Sequence, residues 1–188
     1  MSADAMIRRL IGIVAPLVCL SMASIASAEW QANQNDKAQV AAQDAIARIK
    51  DRIPRSAGYF EQAYAYAILP SVTRAAIGFG GAYGKGLVVE GDELIGTTGF
   101  WQFTSGIQAG AKNFSMILFF KDKAALENFK MRKTQFLGQA GLTFATVGAA
   151  GTPAYNEGVA IITVTRLGLM GEFSVSGAKF DYKPLHQE

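Results

Sequence analysis

The sequence predicts an α+β fold: a single domain, mainly antiparallel β, with N-terminal helices and one inserted helix. Three observations support this prediction. Apolar residues follow helical spacing between 36 and 53, the pattern changes to period two with frequent glycine from Val72 onward, and Phe114 to Phe120 is apolar on both faces. The short antiparallel segments indicate a curved sheet, a sandwich or a partly closed barrel. The 188 residues are enough for one domain with a substantial core.

Residues 1–28 have the features of a secretory signal peptide. Arg8 and Arg9 are followed by an apolar run from Leu10 to Leu20 and by a small-residue cleavage site at Ala26–Ala28. We therefore expect an exported, periplasmic protein, either soluble there or peripheral to a membrane. Cys19, the only cysteine, lies inside this segment, so we expect no thiol chemistry in the mature protein.

The N-terminal segment 29–55 is predicted to form an amphipathic helix. Asn35 or Asp36 is a suitable N-cap, and Pro54 ends the helix. The apolar stripe consists of Ala38, Ala42, Ala45, Ile46, Ile49 and Ile53. Its alanine content favours packing against the domain over insertion into a membrane, which usually needs larger side chains. A second short helical piece is predicted from Ser56 to about Tyr66.

The stretch from Leu69 to Val89 alternates small and bulky residues. Ala76, Gly78, Gly80 and Ala82 share one face of the predicted strand, and Ile77, Phe79 and Tyr83 share the other. Glycine inside a strand usually marks the close approach of another backbone or a ligand. We predict a neighbouring backbone there, with a bound lipid as the alternative.

Glycine-containing pairs predict the turns between strands. Gly84-Lys85 and Gly91-Asp92 both fit a two-residue hairpin with glycine first. Further turns are predicted at Ser105-Gly106 and Leu167-Gly168. Phe114 to Phe120 is predicted to be a central strand.

An inserted helix is predicted after the central strand. Asp122 is its expected cap, and it extends to about Lys133 with Leu126 and Phe129 facing inward.

Motifs for catalysis and cofactor binding fail on inspection. A phosphate-binding loop ending at Lys85 would need glycine where Phe79 stands and Ser or Thr where Gly86 stands. The only histidine, His186, is next to the end of the chain, and the carboxylates show no metal-ligand spacing. The net charge of +3 is too small to indicate nucleic-acid binding. We therefore predict a protein that is not an enzyme and has no cofactor and no metal.

Basic residues gather around the inserted helix. They form either a solvated helix face or a patch for anionic lipid, where each cation contributes about 1 kcal/mol. Arg74 and Lys85 flank the glycine-rich strand with the same two interpretations. The candidate lipid-binding residues are Lys123, Lys130, Arg132, Lys133, Arg74 and Lys85.

The region 56–188 resembles the SYLF domain family. The similar segments are Ile68-Leu69-Pro70, Gly78-Phe79, Gly81, Tyr83-Gly84-Lys85-Gly86, the G-x-Q-x-G at Gly106 to Gly110, and the strand and helix from Phe114 to Phe129. The residues that carry this fold signature are Pro70, Gly78, Gly81, Gly84, Gly86, Gly106 and Gly110. Two features depart from the family pattern: no proline follows Trp101, and Leu137 to Gly141 lacks the usual acidic residue.

The resemblance implies lipid binding. Eukaryotic SYLF members bind phosphoinositide-containing membranes, and the yeast branch also binds actin. An exported protein would meet neither ligand. We therefore predict a non-enzymatic protein that binds lipid or a membrane surface in the bacterial cell envelope. The alternative is a structural or protein-interaction module that accepts a partner strand or a second copy of itself.

Overall fold

The structure is a computed structural model that describes residues 30–131, 135–137, 145–146, 155 and 157–185. It confirms an α+β fold, mainly antiparallel β, with helices before the sheet and one helix inserted after the second strand. The elements are α1 (Lys37–Arg52), a 3-10 turn (Pro54–Ser56), α2 (Ala57–Gln62), β1 (Ala65–Glu90), β2 (Glu93–Phe120), α3 (Lys123–Met131), β3 (Gln135–Leu137), β4 (Ala145–Thr146) and β5 (Val159–Pro184). The predicted signal peptide lies outside the described residues.

One curved sheet contains all the described strands, in the order β1–β2–β5–β3, with β4 pairing parallel to β5. The strand β2 lies between β1 and β5 along nearly its whole length, with Ala65 opposite Phe120 and Phe120 opposite Val159. Phe114 to Phe120 is buried throughout, which confirms the prediction of a central strand there.

The strands are longer than the sequence pattern predicted. The expected turns at Ser105-Gly106 and Leu167-Gly168 are wrong, because β2 and β5 continue through both positions. The Gly84-Lys85 hairpin is also wrong, since Gly84 pairs with Phe100 and Lys85 with Gly99 within β1 and β2. The turn at Gly91-Asp92 is confirmed, and Gly91 has a φ of +61°.

The strand β1 folds back on itself. Its 26 residues would span about 85 Å if straight, yet the Gly91 amide just after its end donates to the Tyr64 carbonyl just before its start, at 3.3 Å. The corner lies at Gly78, which has a φ of +70° that glycine adopts most readily. At this point β2 contributes three residues, 106–108, opposite the single Gly78. The extra length on β2 lets the sheet bend sharply here.

The two halves of β1 approach each other more closely than side chains would allow. A Cβ atom added at Gly80 would lie 2.2 Å from the Cβ of Ala76. A Cβ atom added at Gly86 would lie 2.3 Å from the Ile68 carbonyl oxygen. At Gly84 the nearest atom would be Val72 Cγ2, at 2.7 Å. The glycines therefore accommodate backbone, as predicted, and that backbone is the first half of their own strand.

Two hydrophobic clusters cover the two faces of the sheet. The inner cluster lies between the folded halves and joins side chains of both to α3 through Leu126 and Phe129. The outer cluster joins the sheet to α1, with Ile46 and Ile49 against Ile117, Phe119 and Ile162. The helix α3 therefore buries the residues that its periodicity predicted. The helix α1 buries Ala42, Ala45, Ile46 and Ile49 of its predicted stripe, whereas Ala38, in its first turn, is exposed.

The start of each long helix is fixed by an aspartate. The carboxylate of Asp36 accepts from the amides of Ala38 at 2.8 Å and Gln39 at 3.3 Å, and that of Asp122 accepts from the amide of Ala125 at 2.9 Å. The hydrogen bonds from Ala38 and Gln39 lower the pKa of Asp36 from its ordinary value. The helix α1 ends just before Pro54, as predicted.

Replacing Gly86 by alanine should destabilise the protein by about 1–3 kcal/mol, the usual cost of overpacking. The new methyl group would overlap the Ile68 carbonyl, which belongs to the folded sheet and cannot rotate away. Urea unfolding followed by circular dichroism measures the loss. The control is Gly81→Ala in the same strand, where the nearest atom is the Gln102 carbonyl oxygen at 3.2 Å. Equal losses in the two variants would contradict the close approach of the two halves.

Protonation of Asp36 should loosen the first turn of α1. The pKa of Asp36 is lower in the folded protein than its ordinary value of 3.8. The stabilisation of α1 by the ionised carboxylate is therefore complete above pH 3.8 and is lost as the pH falls through the folded pKa. NMR amide shifts of Ala38 and Gln39 should therefore titrate below pH 3.8 in the wild type. The Asp36→Asn variant keeps a good N-cap without a titrating group, so its amides should not follow that titration. If they do, another group is responsible.

Candidate functional site

The outer face of the sheet beside the Gly78 corner exposes a group of large apolar side chains. We call this group the aromatic patch. Its members, with their exposed fractions, are Ile77 (85%), Phe79 (69%), Phe103 (65%), Trp101 (57%) and Tyr83 (39%). Contiguous exposed apolar surface of this kind usually marks an interaction site.

Cross-strand contacts hold the patch together. Tyr83 lies directly opposite Trp101, and their ring centroids are 4.3 Å apart. Phe79 and Phe103 are diagonal neighbours with stacked rings 6.5 Å apart. The patch is therefore one connected surface on two paired strands, formed without any loop.

The residues that alternate with the patch are small or polar, and they are buried. In β1, Ala76 and Ala82 face inward, while Gln102 and Thr104 do so in β2. A sheet with one solvated face normally places its polar set outward. Beside the corner the arrangement is the opposite, with aromatic side chains outward and small or polar side chains inward.

Three exposed lysines border the patch, and we call them the lysine rim. Lys179 pairs directly with Trp101, Lys85 follows Tyr83 by two positions on the same face, and Lys183 lies further along β5. One carboxylate, that of Asp181, faces outward among them and accepts from the Gly99 amide. The rim therefore carries a net positive charge beside an apolar surface.

A groove of about 840 Å³ runs from the patch toward α1. It follows the crease where the two halves of β1 meet, and Ala38 and Ala41 of α1 form its opposite wall. Its lining is mainly small or apolar, with Lys85, Lys183 and Asp181 as the charged members. The residues that line it are Ala38, Ala41, Pro70, Ser71, Thr73, Tyr83, Gly84, Lys85, Gly86, Leu87, Thr97, Thr98, Gly99, Trp101, Asp181 and Lys183.

The predicted lipid-binding cations that the structure describes belong to different parts of the fold. Lys85 belongs to the rim. Arg74 is only 6% exposed and faces inward, and Lys123 is exposed at the start of α3. Arg132 and Lys133 lie outside the described residues.

Lys130 is engaged in a polar cluster that ties the ends of β1 to α3. Its ammonium lies 3.1 Å from Glu127 and 3.7 Å from Glu90, and 5.8 Å from the centre of the Tyr182 ring. Tyr64 donates to the same Glu90, and this hydrogen bond raises the pKa of Tyr64. The pKa of Tyr182 is raised by its burial. These contacts give Lys130 a structural role where the strand ends meet.

The fold-signature residues shape the sheet. Pro70 lies at a β-bulge, where β1 needs no amide donor, and its carbonyl accepts from Ser115 at 2.8 Å. Gly78 forms the corner, Gly84 and Gly86 contact the first half of β1, and Gly110 has a φ of +131°. Gly106 begins the extra segment of β2 opposite the corner, while Gly81 faces outward beside the patch.

The alternating sequence pattern separates the two faces of the patch strands but does not indicate which face is exposed. It assigned Ile77, Phe79 and Tyr83 to one side without placing that side at the surface. Lys179 and Lys183 were not singled out, because their position beside Trp101 and Thr97 depends on the register of β5. The sequence carries no signal for the exposed face, because the polar residues Gln102 and Thr104, which alternate with the aromatic residues of β2, normally predict the opposite orientation.

In the part of the chain that the structure describes, none of the helices is long and apolar enough to span a bilayer. Within the same residues, no group of three or more His, Cys, Asp or Glu side chains is placed to hold a metal ion.

Comparison with curated proteins gives a distant match. The chain is 26% identical over 142 residues to Beta cell expansion factor A of Aeromonas veronii, and this alignment covers 74% of the chain and 53% of that protein. The chain thus spans about half the length of this relative. No protein-family model and no solved structure matches the chain, so its membership of the SYLF family stays a prediction.

Proposed function

We propose that this chain is a non-enzymatic, exported protein of the bacterial cell envelope that binds the surface of an anionic membrane. The observation that carries the proposal is the aromatic patch bordered by the lysine rim. Trp and Tyr favour the boundary between headgroups and acyl chains, and lysine places its ammonium at the headgroups while its stem covers apolar surface. The resemblance to SYLF domains implies the same class of ligand.

The energetics of the patch support a peripheral contact. Removing a phenylalanine side chain from water contributes about 1.5–3 kcal/mol, and each rim lysine near an anionic surface contributes about 1 kcal/mol. Two exposed phenylalanines and three lysines together contribute about 6–9 kcal/mol. This offsets the entropy that the protein loses on binding when that loss lies in the lower part of its range of about 4 to 15 kcal/mol. The contact is therefore reversible and depends on salt concentration.

Self-association is the alternative function, and the patch provides a surface for it as well. A partner strand cannot pack against the glycines of β1, because the first half of β1 already lies against Gly80, Gly84 and Gly86. A second copy would therefore have to meet the outer surface. Light scattering on the purified protein distinguishes the two functions, because a stable oligomer that does not bind lipid supports self-association.

Replacing the two phenylalanines of the patch should strongly weaken vesicle binding. The double variant Phe79→Thr/Phe103→Thr keeps residues that favour strands but removes most of the apolar contact, so binding to vesicles containing phosphatidylglycerol should fall more than tenfold. Co-sedimentation at low salt measures it. Met131→Gln is the control, because Met131 is as exposed as the phenylalanines but lies on α3. Unchanged binding of the double variant would remove the patch from the proposal.

The location of the membrane-binding cations can be tested separately. Replacing Lys85, Lys179 and Lys183 together by glutamine should weaken vesicle binding by about fivefold for each charge. The matched variant replaces Lys130, Arg132 and Lys133 by glutamine and should have a smaller effect, because Lys130 is already paired with Glu90 and Glu127. If the second variant loses more binding than the first, the membrane contact is at α3. Wild-type protein that binds no anionic vesicle would refute the proposed function.

A further inference from the structure

We propose that the groove between α1 and the crease of β1 binds a single-chain anionic amphiphile, a long-chain carboxylate, independently of any bilayer. This inference deepens the proposed function and rests on it for the class of ligand. It assigns a second, separate mode of binding, in which one molecule is held from solution by the groove. The argument depends on the lining, the charge and the size of the groove.

The groove provides an apolar channel with little side-chain bulk. Ala38 and Ala41 form the wall on α1, and Gly84 and Gly86 contribute bare backbone at the crease. The rings of Tyr83 and Trp101 line the end nearest the patch. A flexible polymethylene chain fits such a lining because it needs apolar contact and no hydrogen bonds.

The charge of the lining favours an anionic head. Lys85 and Lys183 both line the groove, and the single carboxylate there, Asp181, is held by the Gly99 amide. Two ammonium groups against one carboxylate leave a net positive charge for a ligand carboxylate. An uncharged or cationic head would leave the two lysines without this gain.

The size of the groove fits one chain. Its volume of about 840 Å³ lies within the range of about 300–1,000 Å³ that small-molecule sites occupy. Tyr83 and Trp101 of the aromatic patch line it, so the groove adjoins the surface that we propose contacts the membrane.

The tryptophan content of the chain provides a direct test. There are two tryptophans; Trp30 is buried and Trp101 lines the groove. In a Trp30→Phe background, with folding checked by circular dichroism, Trp101 fluorescence reports ligand entry. We expect terminally brominated dodecanoate to quench Trp101 with saturation below its micelle concentration, in the absence of vesicles. Absence of quenching would overturn the proposal.

Filling the groove should block binding. The variant Ala38→Leu/Ala41→Leu should weaken dodecanoate binding at least tenfold, because both positions are exposed on the groove wall and leucine keeps the helix. Ala47→Leu is the matched control, since Ala47 is exposed on α1 outside the groove. Equal affinity in the filled variant and the control would mean that the chain binds at the patch instead, and it would overturn the groove assignment.

The lysines should select the head group. Lys85→Gln and Lys183→Gln should each weaken dodecanoate binding about fivefold and leave dodecanol binding unchanged. Asp181→Asn should strengthen dodecanoate binding. Equal losses for both ligands in the lysine variants would refute an anion-selective site.

Vesicle co-sedimentation of the filled variant separates this inference from the proposed function. If the filled variant still binds vesicles but no longer binds dodecanoate, the result supports both the membrane proposal and the groove proposal. If the wild type binds vesicles but not dodecanoate, only the groove proposal fails, and if it binds dodecanoate but no vesicle, only the membrane proposal fails.

Discussion

The contact on which the rest of this structure depends is the close approach of the two halves of β1. Gly80, Gly84 and Gly86 allow the strand to fold back until the amide after its end reaches the carbonyl before its start. Since β2 pairs with β1 on both sides of the corner and β5 pairs with β2, the whole sheet bends with β1. The inner cluster, which includes Phe100, Met116 and Phe180, forms because residues from both sides of the bend meet there. Larger side chains at these three glycines would overlap the first half of β1 and hold the two halves apart.

The same contact explains the unusual surface beside the corner. Close to the corner, small or polar side chains such as Ala76, Ala82 and Thr104 occupy the inner face. The bulky members of the alternating pattern then point outward. The helix α1 covers the outer face only near the ends of β1, through Ile68 and Val89. The patch and the groove are therefore the part of the outer face that α1 leaves uncovered.

The sequence predicted local structure well and long-range structure less well. The limits of α1, the start of α3, their aspartate caps and the burial of Leu126 and Phe129 follow from short-range periodicity and capping, and the structure agrees. The central strand Phe114 to Phe120 was predictable because an apolar run on both faces has few alternatives. The Gly84-Lys85 hairpin was wrong because glycine serves turns and close packing equally, and only the partner of the strand decides between them. That partner is the segment Ser71 and Val72, which precedes Gly84 by about a dozen residues and gives no local signal.

The candidate site shows the same limit in its charges. Counting lysines along the sequence favoured α3, where several cations follow one another. The structure places Glu90, from the far end of β1, beside Lys130 and thereby neutralises part of that group. The rim draws its lysines from β1 and β5, about a hundred positions apart, and only the strand register brings them to one edge of the aromatic patch. A membrane responds to the charges that share a surface, so the folded sheet, and not the density of lysine in the sequence, determines where such a contact can form.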